Sequence, residues 1–229
     1  MRKRMLVLAA ASGAVLLAAS ALPASAESSA GAPADDTVGA AELLARVKTC
    51  SRISHGMYRT DQGTKAAIPV CGTKEAVFWK ADMDIDCDGR TTTLCNSRTD
   101  PSFQAQTAFT TSAGKPLDAA ALPYVVVPGP GPIWRYSRSG IKGGGVAAVI
   151  HDGKVRYAVV GDTGPTGIIG EASYAMAREL GIDPDPKTGG TASGVTYILF
   201  RNSRVSPIED HAAAVAEGEA LARAFVAGG

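Results

Sequence analysis

The sequence predicts a mainly β fold with a few helices, built as a closed barrel or a sandwich. Short segments rich in Val, Ile and aromatic residues recur between residues 67 and 201, and turn signals such as Asp88-Gly89 and Asp152-Gly153 separate them. Many short strands with few helices are typical of these architectures. A chain of 229 residues without a visible internal repeat fits one domain, or at most two.

Six segments are predicted as strands, and the pair around Asp152-Gly153 is predicted to form a hairpin with a type I′ turn. These strands cover residues 76–79, 106–110, 124–127, 146–150, 157–160 and 195–200. Helices are predicted at 40–48, at 172–180 ending before Gly181, and at 208–226 near the C-terminus.

Residues 1–26 predict a secretory signal peptide. A basic start at Arg2–Arg4 precedes an apolar run over 5–22, and Ala24-Ser25-Ala26 is typical of a cleavage site. A retained membrane helix would need about 20 apolar residues with anchoring flanks, so it is the less favoured interpretation. Cleavage would change the net charge from +1 to −2, with 20 basic and 22 acidic residues left. We therefore expect a mildly acidic secreted protein that binds neither membrane nor nucleic acid.

Residues 27–39, rich in Ser, Ala, Gly and Pro, predict a disordered leader, and residues 40–229 a single domain. The mature part holds four cysteines, Cys50, Cys71, Cys87 and Cys95, and this even number in a secreted chain predicts two disulfides. Three pairings are open, and the short loops favour Cys50–Cys71 with Cys87–Cys95. Zinc binding is not expected, because the chain has no C-x-x-C pair and its three histidines are scattered.

A row of charged residues follows the first long predicted strand. If that strand continues, Lys80, Asp82, Asp84 and Asp86 alternate onto one face, because strand side chains have a period of two. The spacing through Asp88-Gly89 matches the start of an EF-hand loop, but position 12 is a cysteine and no helices flank it, so no EF-hand is expected. A looser calcium site, solvated acids at a strand end, and an acidic wall for a cationic substrate stay open.

A second acidic motif links a strand to a helix through a loop rich in Gly and Pro. Asp162 ends the strand, and Glu171 stands at the start of the predicted helix. Two carboxyl groups facing one cleft are what glycosidic-bond hydrolysis requires. The alternative is structural, with Asp162 closing a turn and Glu171 capping the helix. A Ser-His-Asp triad is not expected, because no G-x-S-x-G motif occurs.

Several motifs together resemble the secreted chitosanases of glycoside hydrolase family 75, in the same order and over roughly residues 58–200. They are FWKADMDIDCDG at 78–89, CN at 95–96, TDP at 99–101, LPYVVVP at 122–128, GDTG at 161–164 and GEAS at 170–173. The resemblance implies that the two essential acids are Asp162 and Glu171. The segment joining them also looks like that of the six-stranded double-psi β-barrel in expansins, lytic transglycosylases and some endoglucanases.

The resemblance implies that Glu171 is the general acid and Asp162 the general base of an inverting hydrolase. A general acid needs a raised pKa, whereas a helix N-terminus lowers it. Burial against Ile168 and Ile169, or the negative charge of Asp162, would then have to dominate. In some barrel relatives the base comes from an early strand, which keeps Asp82 or Asp84 as the alternative base.

We therefore expect a monomeric, secreted endo-chitosanase that cleaves β-1,4 bonds of chitosan without a cofactor or a metal. The substrate-binding residues are expected to be Lys80, Asp82, Asp84, Asp86 and Tyr124. The acids would pair with glucosamine ammonium groups, and Trp79, Tyr124 or Trp134 would stack on sugar rings. The alternatives are a lytic transglycosylase-like or endoglucanase-like enzyme, an expansin-like binding module without catalysis, and a calcium-stabilised structural domain.

Overall fold

The structure, a computed structural model, describes residues 37–228. The predicted signal peptide and most of the predicted leader lie outside the described residues. The helices are α1 (Ala40–Arg46), α2 (Tyr174–Leu180) and α3 (His211–Ala227), with a 3₁₀ turn at Tyr136–Ser139. The strands are β1 (Cys71–Gly72), β2 (Ala76–Asp86), β3 (Tyr124–Pro128), β4 (Val146–His151), β5 (Lys154–Gly164), β6 (Glu171–Ser173) and β7 (Thr191–Phe200). Between residues 37 and 228, no helix is long and apolar enough to cross a membrane.

Six strands close into a mixed barrel in the order β2-β6-β3-β5-β4-β7, because β7 also pairs with β2. The β2–β6 and β3–β5 pairs are parallel, and the other pairs around the ring are antiparallel. The short β1 adds to the sheet by pairing with β2. The prediction of a mainly β barrel with a C-terminal helix is confirmed.

Alternate residues of the strands fill the barrel interior. In β2 these are the odd-numbered residues, including Val77, Trp79 and Met83, which share one apolar cluster with residues from the other five barrel strands. The even-numbered Phe78 belongs instead to an outer cluster that α3 covers with Phe225. Because β2 runs on to residue 86, its even-numbered acids lie on the outer face of the barrel, as the period-two argument predicted.

Turn and cap residues end the elements where the sequence indicated. Asp152 and Gly153 both have positive φ and join β4 to β5 as a two-residue hairpin loop. Gly181 ends α2 in the left-handed conformation. The cap of α2 is Ser173, whose hydroxyl accepts from the Met176 N–H, so that helix begins at residue 174 rather than 172.

The strand predicted at 106–110 is wrong. This segment is irregular and makes a single isolated bridge, between Thr110 and Pro116. Its polar groups bond to side chains and nearby carbonyls instead of a strand partner: the Ala108 N–H donates to Asp162, and the Thr107 hydroxyl to the Phe109 carbonyl. The segment therefore lies against the barrel without joining the sheet.

Two disulfides stabilise the fold with the favoured pairing. Cys50–Cys71 closes a loop of 21 residues and fixes the chain before β1, and Cys87–Cys95 closes a loop of 8 residues just after β2. Such loops are each expected to contribute about 2–4 kcal/mol to the free energy of unfolding. The second disulfide anchors the irregular chain that continues across the outer face of the barrel.

Candidate active site

The two predicted catalytic acids flank one residue of the central strand. Val126 of β3 pairs with Asp162 of β5 on one side and with Glu171 of β6 on the other. Directly paired residues project to the same face of a sheet, so both carboxyl groups stand on the outer face of the barrel. Asp84 of β2 pairs with Glu171 in turn and extends this row by one strand.

A bulge in β5 gives Asp162 this orientation. Val125 pairs with Val160, but the next residue of β3, Val126, pairs with Asp162, so Gly161 is the extra residue. If Gly161 paired regularly with Val126 instead of bulging, Asp162 would pair with Val127 and face the barrel interior. Gly161 also has no space for a side chain, since a Cβ atom there would lie 2.5 Å from Cγ of Tyr124.

Two backbone N–H groups hold the Asp162 carboxylate. Its Oδ1 accepts from the Ala108 N–H and from the Thr163 N–H, both at 2.7 Å. Asp162 is only 6% exposed, and this burial raises its pKa, while the two hydrogen bonds oppose the rise. Asp162 also lines a groove of about 580 Å³ with Asp88, residues 104–108 and Thr163.

Glu171 lies in the opposite electrostatic situation. No described residue donates a hydrogen bond to its half-buried carboxyl group, and a Cβ atom at Gly164 would come within 2.9 Å of its Oε2. Desolvation and the nearby charges of Asp84, Asp88 and Asp162 raise the pKa of Glu171 to about 8. Glu171 belongs to β6 and precedes Ser173, which is the N-cap of α2, so Glu171 does not cap the helix. The lowering of its pKa that a helix N-terminus would cause is therefore not observed.

Asp86 is a buried acid below this pair. Its Oδ1 accepts from the Asp88 N–H at 2.6 Å, and burial together with the Glu171 charge raises its pKa well above the ordinary value. Tyr124 lies next to it, fully buried, with its hydroxyl donating to the Asp88 carbonyl. The two residues contribute to the floor of the site, and because Asp162 is about as buried as Asp86, the prediction that Asp86 and Tyr124 contact substrate stays a prediction.

The other predicted substrate-binding residues of β2 differ in how exposed their side chains are. Lys80 and Asp84 are exposed, whereas Asp82 is 3% exposed beneath the chain at Gly170. Burial and the Asp84 charge raise the pKa of Asp82 to about 7. Lys80 and Asp84 are therefore accessible for direct contact with a substrate, whereas Asp82 is covered.

The predicted stacking aromatics are buried in the core. Trp79 stacks on Tyr197 and meets the edge of Trp134, and these three side chains are at most 4% exposed. Together with the buried Tyr124, they pack the protein and offer no ring face to a sugar. Their burial corrects the prediction that their rings stack on sugars.

Two groups that contribute to the site were not indicated by any sequence motif. The Ala108 N–H comes from a segment predicted as a strand, and Asp61 comes from a loop far away in sequence. Asp61, Asp82 and Asp84 form the one group between residues 37 and 228 whose side chains are placed to hold a metal ion together. Only the tertiary fold brings these groups together, so local pattern could not identify them.

Comparison with known proteins places the site in a family context. Residues 83–224, more than half of the chain, match the family described as fungal chitosanase of glycosyl hydrolase group 75. The chain is 32% identical over 181 residues to endo-chitosanase C of Aspergillus oryzae, covering 75% of this chain and 45% of that protein. It is 32% identical over 141 residues to an endo-chitosanase of Aspergillus fumigatus, covering 56% and 59%.

A third relative, endo-chitosanase B of Aspergillus oryzae, is 34% identical over 134 residues, which is 55% of this chain and 56% of that protein. The chain therefore spans about half the length of the curated relatives it matches. Asp162 and Glu171 both lie within the matched residues 83–224.

Replacing Gly161 with Ala is expected to destabilise the protein. The added methyl group would meet the Tyr124 ring at the bulge, and overpacking of this kind costs about 1–3 kcal/mol. Gly167→Ala is the matched control, because a Cβ atom at residue 167 meets nothing within 4 Å. Urea unfolding measures both variants, and equal free energies of unfolding would contradict the tight contact at Gly161.

Stability is expected to fall as the pH rises from about 4.5 to about 8. The pKa of Glu171 is raised in the folded protein, so the native state binds its proton more tightly than the unfolded chain and loses this advantage across that interval. Glu171→Gln should flatten the decline and melt about 5 °C above the wild type at pH 8. Circular dichroism melting curves test this against Glu217→Gln on the exposed side of α3, and parallel curves for Glu171→Gln and wild type would refute it.

Proposed function

Since the chain belongs to the family of chitosanases of glycosyl hydrolase group 75, we propose that it is an endo-chitosanase that hydrolyses β-1,4 bonds within chitosan. The observation that carries the proposal is the pair of acids on either side of Val126. One of them, Glu171, has a pKa of about 8, and the other, Asp162, is held by two N–H donors. Environments that separate the pKa values of two carboxyl groups identify an acid and a base.

Glu171 is the general acid of the proposed reaction. Because its carboxyl group keeps its proton at neutral pH, it can protonate the glycosidic oxygen as the bond to the anomeric carbon breaks. The leaving sugar then departs as an alcohol. The nearby acids that raise the pKa of Glu171 therefore serve the reaction at a cost in stability.

Asp162 is the general base. It takes a proton from a water molecule whose oxygen bonds to the anomeric carbon on the face opposite the leaving group. The N–H groups of Ala108 and Thr163 stabilise its charged form and orient the carboxylate. After release of both products, proton exchange with solvent restores Glu171 to the acid form and Asp162 to the carboxylate.

The strand spacing is compatible with inversion. Asp162 and Glu171 lie two strands apart, and two spacings of about 4.8 Å put their Cα atoms roughly 10 Å apart. Inverting glycosidases hold their carboxyl groups about 6.5–9.5 Å apart, which leaves room for water. Asp84, the alternative base, lies only one strand from Glu171, so this spacing favours Asp162.

The charge of the outer face supports a polycationic substrate. Asp82, Asp84, Asp86 and Asp162 share this face with the protonated Glu171, and none of the five takes part in an ion pair with another residue between 37 and 228. Chitosan carries one ammonium group per glucosamine unit, so it would be attracted to this surface. Among the β2 acids, the exposed Asp84 is the one best placed to pair directly with an ammonium group.

Other parts of the proposal rest on the sequence and on the family resemblance. The predicted signal peptide at residues 1–26 supports secretion, and a monomer stays the expected state. Two carboxyl groups suffice for hydrolysis without a cofactor or a catalytic metal. We also propose that the mixed barrel has the double-psi topology, because the segment from Asp162 to Glu171 resembles the corresponding segment of double-psi β-barrels.

Removing either carboxyl group is expected to abolish chitosan hydrolysis. Asp162→Asn and Glu171→Gln should each lower kcat by about 10²–10⁴-fold, the usual contribution of a positioned acid or base. Circular dichroism checks that the variants fold, and Glu217→Gln is the control in which a carboxyl group outside the site is replaced by an amide. Near-normal turnover in either variant would show that the catalytic pair is assigned wrongly.

The first product is expected to carry the inverted, α-anomeric configuration at its new reducing end. Proton NMR during the first minutes of digestion, before mutarotation, distinguishes it from the β-anomer. The β-anomer would contradict Asp162 as base, and anhydro sugars would indicate a lytic transglycosylase. Binding to insoluble polysaccharide without new reducing ends would indicate an expansin-like module instead.

A further inference from the structure

The groove beside Asp162 is lined by an irregular segment, residues 104–108, which we call the strap. The strap shares this lining with Asp88, Asp162 and Thr163. It belongs to no strand, and its Ala108 N–H donates to Oδ1 of Asp162 at 2.7 Å. The position of the strap therefore decides whether Asp162 receives this hydrogen bond.

Asp88 and Gly89 together bind the first residue of the strap. The Gln104 N–H donates to Oδ1 of Asp88 at 2.5 Å, and the Gln104 carbonyl accepts from the Gly89 N–H at 2.8 Å. Gly89 has φ +111°, and a Cβ atom there would collide with the Leu117 carbonyl. Residue 89 therefore has to be a glycine for both hydrogen bonds to form.

The other end of the strap is held at Thr107. The Thr107 hydroxyl accepts from the Leu117 N–H at 3.0 Å and donates to the Phe109 carbonyl at 2.6 Å. Only two residues lie between Thr107 and Gln104, so the strap has little slack. A shift of Gln104 is therefore expected to displace the Ala108 N–H as well.

Asp88 itself follows β2 with its backbone fixed. Its N–H donates to Oδ1 of Asp86 at 2.6 Å, and its carbonyl accepts from the Tyr124 hydroxyl at 3.0 Å. Cys87, the residue before it, is linked to Cys95. The carboxyl group of Asp88 therefore has a defined position relative to the strap.

The Asp88 carboxyl group is half-buried, and burial raises its pKa to about 6. The hydrogen bond from Gln104 opposes this rise, whereas the charges of Asp162 and Asp100 add to it. Asp88 is thus mostly ionised above about pH 6, and a charged acceptor binds an N–H group more strongly than a neutral one does.

We propose that Asp88 is a positioning residue of the proposed hydrolysis, because its carboxylate fixes the strap so that the Ala108 N–H reaches Asp162. This inference rests on the proposed function, in which Asp162 is the general base, and adds a residue that acts through it. The N–H of Ala108 favours the charged form of Asp162 and orients it. The Asp88-Gly89 pair, whose spacing matched the start of an EF-hand loop, instead binds both backbone groups of Gln104.

Two substitutions at residue 88 separate the hydrogen bond from the charge. Asp88→Asn and Asp88→Ala both remove one negative charge, so the effect of that charge on Asp162 and Glu171 is common to the two variants. Asparagine keeps a side-chain carbonyl that can accept from the Gln104 N–H, whereas alanine has no acceptor. The other titratable groups that face Asp162 are unchanged in both variants; they are Asp86, Tyr124 and Glu171. A difference between the variants therefore measures the anchoring of the strap.

NMR titration of the Asp162 carboxyl carbon tests the proposal without a substrate. The pKa of Asp162 is expected to lie about one unit higher in Asp88→Ala than in Asp88→Asn, because the carboxylate loses one of its two N–H donors. Exchange of the Ala108 amide hydrogen should be about tenfold faster in Asp88→Ala, with the β4 amides unchanged. Equal pKa values of Asp162 in the two variants would overturn the proposal, whatever the exchange rates.

Turnover of chitosan gives the second readout. The kcat should fall about 10–100-fold in Asp88→Ala and less than about threefold in Asp88→Asn, because a displaced base activates water less efficiently. Glu217→Ala on the exposed side of α3 is the control for the loss of a carboxyl group. Equal losses of kcat in the two variants at residue 88 would contradict the anchoring role.

Two provisions keep the test decisive. If circular dichroism shows that Asp88→Ala does not fold, Asp88→Ser replaces it, because a serine hydroxyl is too short to reach the Gln104 N–H. A wild type that does not hydrolyse chitosan would refute the proposed function alone, and the NMR titration would still test the role of Asp88.

Discussion

The register of the central strand β3 is the constraint on which the site depends. Val126 aligns Asp162 and Glu171 because β5 contains one extra residue, Gly161, just before Asp162. Side chains alternate between the two faces of a strand, so regular pairing without the bulge would place Gly161 opposite Val126 and Asp162 opposite Val127, with the carboxyl group in the apolar barrel interior. The glycine at the bulge is required by the Tyr124 ring, which links this register to the packing beneath the site.

Repulsion between neighbouring acids lowers the free energy of unfolding at the site, and favourable interactions elsewhere in the fold must compensate for it. Five acids share the outer face beside β3; burial raises the pKa of Asp162, and burial together with the charges of neighbouring acids raises the pKa of Asp82, Asp86 and Glu171. Their shared environment raises the pKa of Glu171 to about 8, as the proposed role of general acid requires. The closed barrel, its two apolar clusters and the two disulfides provide the stability against which this arrangement is maintained.

The sequence was sufficient where a feature depends on local period or turn chemistry. Alternation along β2 predicted that Asp82, Asp84 and Asp86 share a face, and Asp152-Gly153 predicted the hairpin between β4 and β5. Burial was not predictable in the same way, because Asp82 is covered by Gly170 from a loop almost ninety residues later. The aromatic residues show the same limit: their size suited sugar stacking or core packing, and only the closed barrel decides between them.

The segment at 106–110, which was wrongly predicted as a strand, makes the surroundings of the two acids different, because it donates a hydrogen bond to Asp162 and none to Glu171. A residue in a regular ladder already uses its N–H group to bind a neighbouring strand, whereas the irregular chain at Ala108 leaves its N–H free to donate to Asp162. Glu171 receives no such donor from the described residues, so desolvation acts on it without opposition. The same departure from regular structure that defeats the local pattern therefore gives Asp162 a donor that favours its charged form, which Glu171 lacks among the described residues.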